Sequence, residues 1–124
     1  MIRLLLVEDD ANLRYIIQGG LEDMIGGYEI KDAANGVEGL KIWQEWRPDV
    51  IVSDIEMPVM DGYTATRKIR ELERSDAKTV PIIAMTANAF QEDAEKCIAV
   101  GMNAHLAKPL DIEKMKKTIK SICS

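Results

Sequence analysis

Residues 50–62 read Val-Ile-Val-Ser-Asp-Ile-Glu-Met-Pro-Val-Met-Asp-Gly. Val50, Ile51 and Val52 are apolar on consecutive positions, so neither face of the segment is polar, and this is the pattern of a strand covered by helices on both sides. Such a strand belongs at the centre of a sheet. It ends on a carboxylate, Asp54.

Outward from this strand, predicted over Val50–Ser53, four more short apolar runs read as strands: Ile2–Val7, Tyr28–Ala34, Val80–Met85 and Ala104–Ala107. Segments of helical period separate them: Asn12–Ile25, Gly36–Trp46, Gly62–Arg74, Asn88–Val100 and Asp111–Cys123. Leu13, Ile16, Ile17, Leu21 and Met24 form the apolar stripe of the first helix, and Ile112, Met115, Ile119 and Ile122 that of the last. Asn35-Gly36, Arg47-Pro48, Val80-Pro81, Val100-Gly101 and Lys108-Pro109 punctuate the boundaries. Strands alternating with helices imply a parallel sheet, and an open sheet wound in both directions holds its ligand crevice beyond the carboxyl ends of the strands.

The 124 residues are enough for a single domain, expected over 1–124, with a core needing neither disulfide nor structural metal. Hydrophobic residues at 47% and charged residues at 30% match globular usage. No apolar stretch approaches the roughly 18 residues that span a bilayer, and MIRLLLVEDD is too short in its apolar part for a signal peptide, so a cytoplasmic chain without a membrane partner is expected. A net charge of −5 argues against a nucleic-acid surface. Lys114, Lys116, Lys117 and Lys120 are expected on the wet side of the last helix. Cys97 and Cys123 lack the spacing of a metal or redox motif and read as buried or half-buried thiols.

The polar residues collect at the strand exits. The first strand runs into Glu8-Asp9-Asp10, the third into Asp54, the fourth into Thr86 and the fifth into Lys108. Carboxylates held together repel, and a divalent cation removes that cost. Mg²⁺ takes one or two carboxylates plus phosphate oxygens, here from Asp9 and Asp54. Asp10 is better read as the cap of the helix that follows. Lys108 offers a counter-charge to a phosphoryl group, and the Thr86 hydroxyl a hydrogen bond to it.

These residues, over essentially the whole chain, resemble the receiver domains of bacterial response regulators. LLLVEDD (4–10) is similar to the family's first strand and acidic pair, VIVSDIEMPVMDG (50–62) to its phospho-acceptor strand and loop, IIAMTANA (82–89) to its fourth strand and switch hydroxyl, and HLAKPL (105–110) to its fifth strand and lysine. The resemblance implies a doubly wound, flavodoxin-like α/β fold: a five-stranded parallel sheet in the order 2-1-3-4-5 flanked by five helices. It implies Asp54 as phospho-acceptor, Asp9 as direct metal ligand, the Glu56 main-chain carbonyl as another, Glu8 holding the metal through water, and Mg²⁺ or Mn²⁺ as cofactor. Thr86 and Lys108 assist the transfer, and Glu56 and Asn88 tune dephosphorylation.

Further expectations follow from the same resemblance. The donor is a histidine kinase or histidine phosphotransfer protein, met by first-helix residues such as Asn12, Leu13 and Ile16. Phosphorylation then changes a surface on the fourth helix, fifth strand and fifth helix that binds a downstream protein. The chain thus serves as a switch that catalyses its own phosphorylation and slow dephosphorylation. His105 departs from the Tyr or Phe usual at the aromatic switch position and is expected to be a half-buried packing residue. Met57, Met60, Met85 and Met102 are expected to fill core gaps, and at least one of Trp43 and Trp46 to be core. The segments 55–70 and 85–90 look like receivers fused to hybrid histidine kinases. Two rival readings remain: a HAD-like aspartyl-nucleophile phosphatase, for which Glu56 falls where a second acid is usual, and a receiver-like interaction module that is not phosphorylated.

Overall fold

The computed structural model describes residues 2–22, 28–54, 62–71, 79–86, 91–107 and 111–123. Strands β1 (Ile2–Val7), β2 (Tyr28–Ala33), β3 (Val50–Asp54), β4 (Ile82–Thr86) and β5 (Ala104–Ala107) alternate with helices α1 (Ala11–Glu22), α2 (Gly36–Glu45), α3 (Gly62–Glu71), α4 (Gln91–Val100) and α5 (Ile112–Cys123). The strands form one sheet, β2-β1-β3-β4-β5, and every pairing is parallel. This is the expected doubly wound architecture, with β3 central and all five of its residues buried.

Alternation along the strands builds two cores on opposite faces of the sheet. Leu5, Val7, Ile51, Ile82 and Ala84 pack with Trp43 of α2, Ile69 of α3 and Cys97 of α4. Leu4, Leu6, Val50, Val52, Ile83 and Met85 pack with Ile17 and Leu21 of α1 and Met115 and Ile119 of α5. Burying a Leu, Ile or Val side chain contributes roughly 1.5–3 kcal/mol, so these paired layers supply most of the drive to fold. Met85 and Met102 are core, as is Trp43, whereas Trp46 packs half-buried at the end of α2. Cys97 is a buried free thiol; Met24, Met57 and Met60 and the side chain of Cys123 lie outside the described residues.

Several boundaries move by a residue or two for local reasons. The Asp10 carboxylate accepts from the Asn12 and Leu13 amides at 2.9 and 3.3 Å, so α1 begins at Ala11. Asp111 caps α5 in the same way, accepting from Glu113 at 3.0 Å and Lys114 at 3.3 Å. Pro81 has no amide to donate, and β4 starts after it, although the Pro81 carbonyl accepts from Ile51 at 2.9 Å. β4 then runs on through Thr86.

Two assignments to helix faces need correction. Ile16 is 59% exposed, because the buried stripe of α1 runs through Ile17 and Leu21 instead. Lys116 is buried while Lys114, Lys117 and Lys120 are exposed: it neighbours Met115 on the inner side of α5 and reaches out to Glu113 at 3.6 Å.

On the face that carries α2, α3 and α4, α3 is also tied to the turn between α4 and β5. Arg70 of α3 donates through Nε and Nη2 to the Gly101 carbonyl at 3.1 and 2.7 Å and to the Asn103 side chain at 3.0 Å. The same Asn103 oxygen accepts from the Ile82 amide at 3.0 Å. Gly101 adopts φ +106°, a conformation that favours glycine, and a Cβ there would stand 3.1 Å from Arg70 Cγ and crowd the clasp.

Candidate functional site

The order β2-β1-β3 means that the chain changes direction of travel across the sheet between β1 and β3, and the crevice of a doubly wound sheet opens at that point. Residue Val7 is opposite Ser53, so the residues that follow, Glu8 and Asp54, leave the sheet side by side. Carboxylate oxygens of Glu8, Asp9 and Asp54 lie within 4.8 Å of one another. Glu8 is wholly buried and Asp54 nearly so, while Asp9 is exposed.

Local structure holds each acid. The Glu8 amide donates to the Ala33 carbonyl at 3.0 Å, continuing the β1–β2 ladder by one residue, and the Glu8 carboxylate accepts from the Asp10 amide at 3.2 Å. Ser53 donates through Oγ to the Asp54 carbonyl at 3.0 Å, which holds the main chain at the end of β3. Thr86 ends β4, buried and one step past the Asp54–Met85 pair, on the strand beside the acceptor strand.

Three acids this close, two of them buried, suit a hard divalent cation. The donor set is all oxygen with no thiolate or imidazole, which fits Mg²⁺ or Mn²⁺ and not a softer metal. The site residues named from the sequence therefore divide three ways. Glu8, Asp9 and Asp54 come together, with Thr86 on the next strand. His105 is exposed rather than half-buried: β5 is an edge strand whose alternation turns Leu106 inward and leaves His105 and Ala107 outside. Glu56, Asn88 and Lys108 lie outside the described residues.

One residue of the site was not evident from the sequence. Arg14, on the second turn of α1, donates from Nη1 to the Glu8 carbonyl at 2.6 Å and from Nε to Asp32 Oδ2 at 3.0 Å. It is the only cation between Arg3 and Lys31, which was the available signal.

A family model described as the response regulator receiver domain matches residues 4–120. The chain belongs to that family. The receiver is 36% identical over 118 residues to the sensor histidine kinase RcsC of Salmonella typhi, a match covering 94% of this chain but only 12% of that protein. Among solved structures it resembles the chemotaxis response regulator CheY4 of Vibrio cholerae, at 35% identity and a TM-score of 0.89 over 98% of both chains. It also resembles the receiver domain of the sensor histidine kinase PA1611 from Pseudomonas aeruginosa, which carries a magnesium ion in its active-site cleft, at 39% identity and a TM-score of 0.87 over 99% of this chain and 98% of that one. The receiver acts in two-component phosphorelay signalling, which sets aside the phosphatase reading. Among the described residues, no helix is long and apolar enough to cross a membrane.

Proposed function

We propose that this receiver is a cytoplasmic Mg²⁺-dependent switch whose Asp54 accepts a phosphoryl group from a phosphohistidine of a histidine kinase or histidine phosphotransfer protein. The observation that carries the reading is the convergence of Glu8, Asp9 and Asp54 at the carboxyl end of the central strand. An Asp54 carboxylate oxygen attacks phosphorus, the P–N bond breaks, and its electron pair leaves on the imidazole nitrogen, which takes up a proton. The product is an acyl phosphate on Asp54. A Mg²⁺ or Mn²⁺ ion, bound by Asp9 and Asp54, by the Glu56 main-chain carbonyl and through water by Glu8, would neutralise charge on the transferring oxygens. The Lys108 ammonium balances the remaining charge, and the Thr86 hydroxyl donates to a phosphoryl oxygen.

Burial of Asp54 at the end of a rigid strand fixes the nucleophile, so little reorganisation is needed during transfer. Movement of Thr86 towards the phosphoryl group then biases α4, β5 and α5 between two packings, with His105 at the aromatic position, and a downstream protein reads the result. Glu56 and Asn88 flank the path of the hydrolytic water and set the lifetime of the phosphoryl group.

Intact mass after incubation with acetyl phosphate or phosphoramidate tests the chemistry. A Mg²⁺-dependent, hydroxylamine-labile gain of one phosphoryl group, absent from Asp54→Asn, is expected. No adduct under any condition would instead indicate the interaction module that is not phosphorylated. With Asp54 fully phosphorylated, amide spectra should change across residues 87–105; unchanged spectra there rule out the proposed output face.

A further inference from the structure

We propose that Arg14 is a positioning residue for the cation site: a strut that fixes the acidic loop after β1 against the end of β2. The inference rests on the reading that Asp9 and Asp54 hold the cation. Glu8 is the first residue past the last paired position of β1, Val7↔Ala33, so its carbonyl stands where the sheet ladder stops. Arg14 supplies a donor at that point, with Nη1 2.6 Å from the Glu8 oxygen. Because the Glu8 amide is already held by Ala33 at 3.0 Å, the peptide units on both sides of the Glu8 side chain are anchored. The carboxylates of Glu8 and Asp9 flank the carbonyl that Arg14 grips.

The guanidinium is itself held from the other side. Its Nε donates to Asp32 Oδ2 at 3.0 Å, and Asp32 is the penultimate residue of β2. The Arg14 side chain is 19% exposed against 47% for Asp32, so the strut runs from a half-exposed anchor into the interior of the loop. Two separate groups, a carbonyl on one strand exit and a carboxylate on the neighbouring strand, are bridged by one planar fork. An ammonium presents its donors from a single nitrogen on a flexible stem and does not reproduce that fixed, separated pair.

The sign of the effect separates positioning from charge. Arg14 is a cation beside a cation site, so if its charge were all that mattered, neutralising it would tighten Mg²⁺ binding. If the fork positions the acids, removing it loosens the loop and weakens binding, and groups that orient metal ligands typically contribute about 10- to 100-fold in affinity.

The test is a titration of the full chain with Mg²⁺ alone, followed by amide spectra of residues 7–10 and 53–54. The parent is compared with Asp9→Asn, Arg14→Lys, Arg14→Gln and Asp32→Asn, and thermal unfolding of each is recorded in EDTA. Arg14→Lys and Arg14→Gln should each raise the Mg²⁺ Kd by about tenfold. Asp32→Asn, which leaves the guanidinium but removes its outer anchor, should raise it by less. If Arg14→Gln fails to fold, Arg14→Lys, which keeps the charge and loses only the fork, carries the test. A parental Kd in Arg14→Lys, tighter binding in Arg14→Gln, or a lower unfolding temperature in EDTA with no change in Kd overturns the strut. A parent that fails to saturate overturns the cation-site reading and the strut with it, whereas a parent that saturates beside unchanged variants overturns the strut alone.

Discussion

Gly39 and Gly19 both lie within helices and differ in what surrounds them. A Cβ on Gly39 would stand 2.8 Å from Val7 Cγ2 and 3.3 Å from Cγ1, and Val7 is a buried β-branched residue with a stiff χ1. Gly39→Ala should therefore destabilise by about 1–3 kcal/mol in urea unfolding despite its better helix propensity. A Cβ on Gly19 meets nothing within 4 Å, so Gly19→Ala should stabilise by about 0.5–1 kcal/mol, by shrinking the unfolded ensemble and favouring the helix. Residue type alone does not distinguish these two positions, and the same holds for the residues misread from the sequence. Ile16 and Ile17 are identical side chains one helical step apart, and only packing onto the sheet decides which is buried. The convergence of Asp9 and Asp54 was legible because both follow apolar runs at the carboxyl ends of strands, where a doubly wound sheet opens its crevice. Arg14 was not, since its target is a backbone carbonyl, and no side-chain pattern announces one.

At the scale of elements, helix starts depend on side chains just outside the helix. Asn35 takes an extended conformation and its Oδ1 accepts from the Glu38 amide at 2.9 Å, satisfying one of the donors that α2 leaves open. Asn35→Ala should cost about 1 kcal/mol, read as a lower urea midpoint with an unchanged slope. The five strands and five helices were legible because their periods, two and 3.6, differ and because both faces of the central strand are covered. Their ends were less so. β4 was expected from Val80 but begins at Ile82, since the apolar character of Val80 serves the core while Pro81 interrupts the ladder. The tie from Arg70 to Gly101 and Asn103 joins residues about thirty positions apart and leaves no local trace in the sequence.

For the whole molecule, the proposed cation site links stability to the divalent ion. Without it, three carboxylates share a space under 5 Å across, and for one pair that close the repulsion ranges from about 1 kcal/mol in water to about 4 near a protein surface. Mg²⁺ at about 100 times its Kd should stabilise the parent by about 2.7 kcal/mol. Asp9→Asn should melt higher than the parent in EDTA and lower in saturating Mg²⁺; curves that never cross would mean that Asp9 is not a ligand. The sheet order carries a consequence for how the chain is built. As the polypeptide emerges from a ribosome, β2, β1 and β3 can pair as soon as residue 54 is free, and β4 and β5 then add one after another on the same side. Until β4 arrives, the growing edge is β3, all five of its residues destined for burial and its backbone groups open along one side. A nascent chain halted between β3 and β4 would present that edge to its neighbours, so synthesis of the second half has to outpace aggregation of the first.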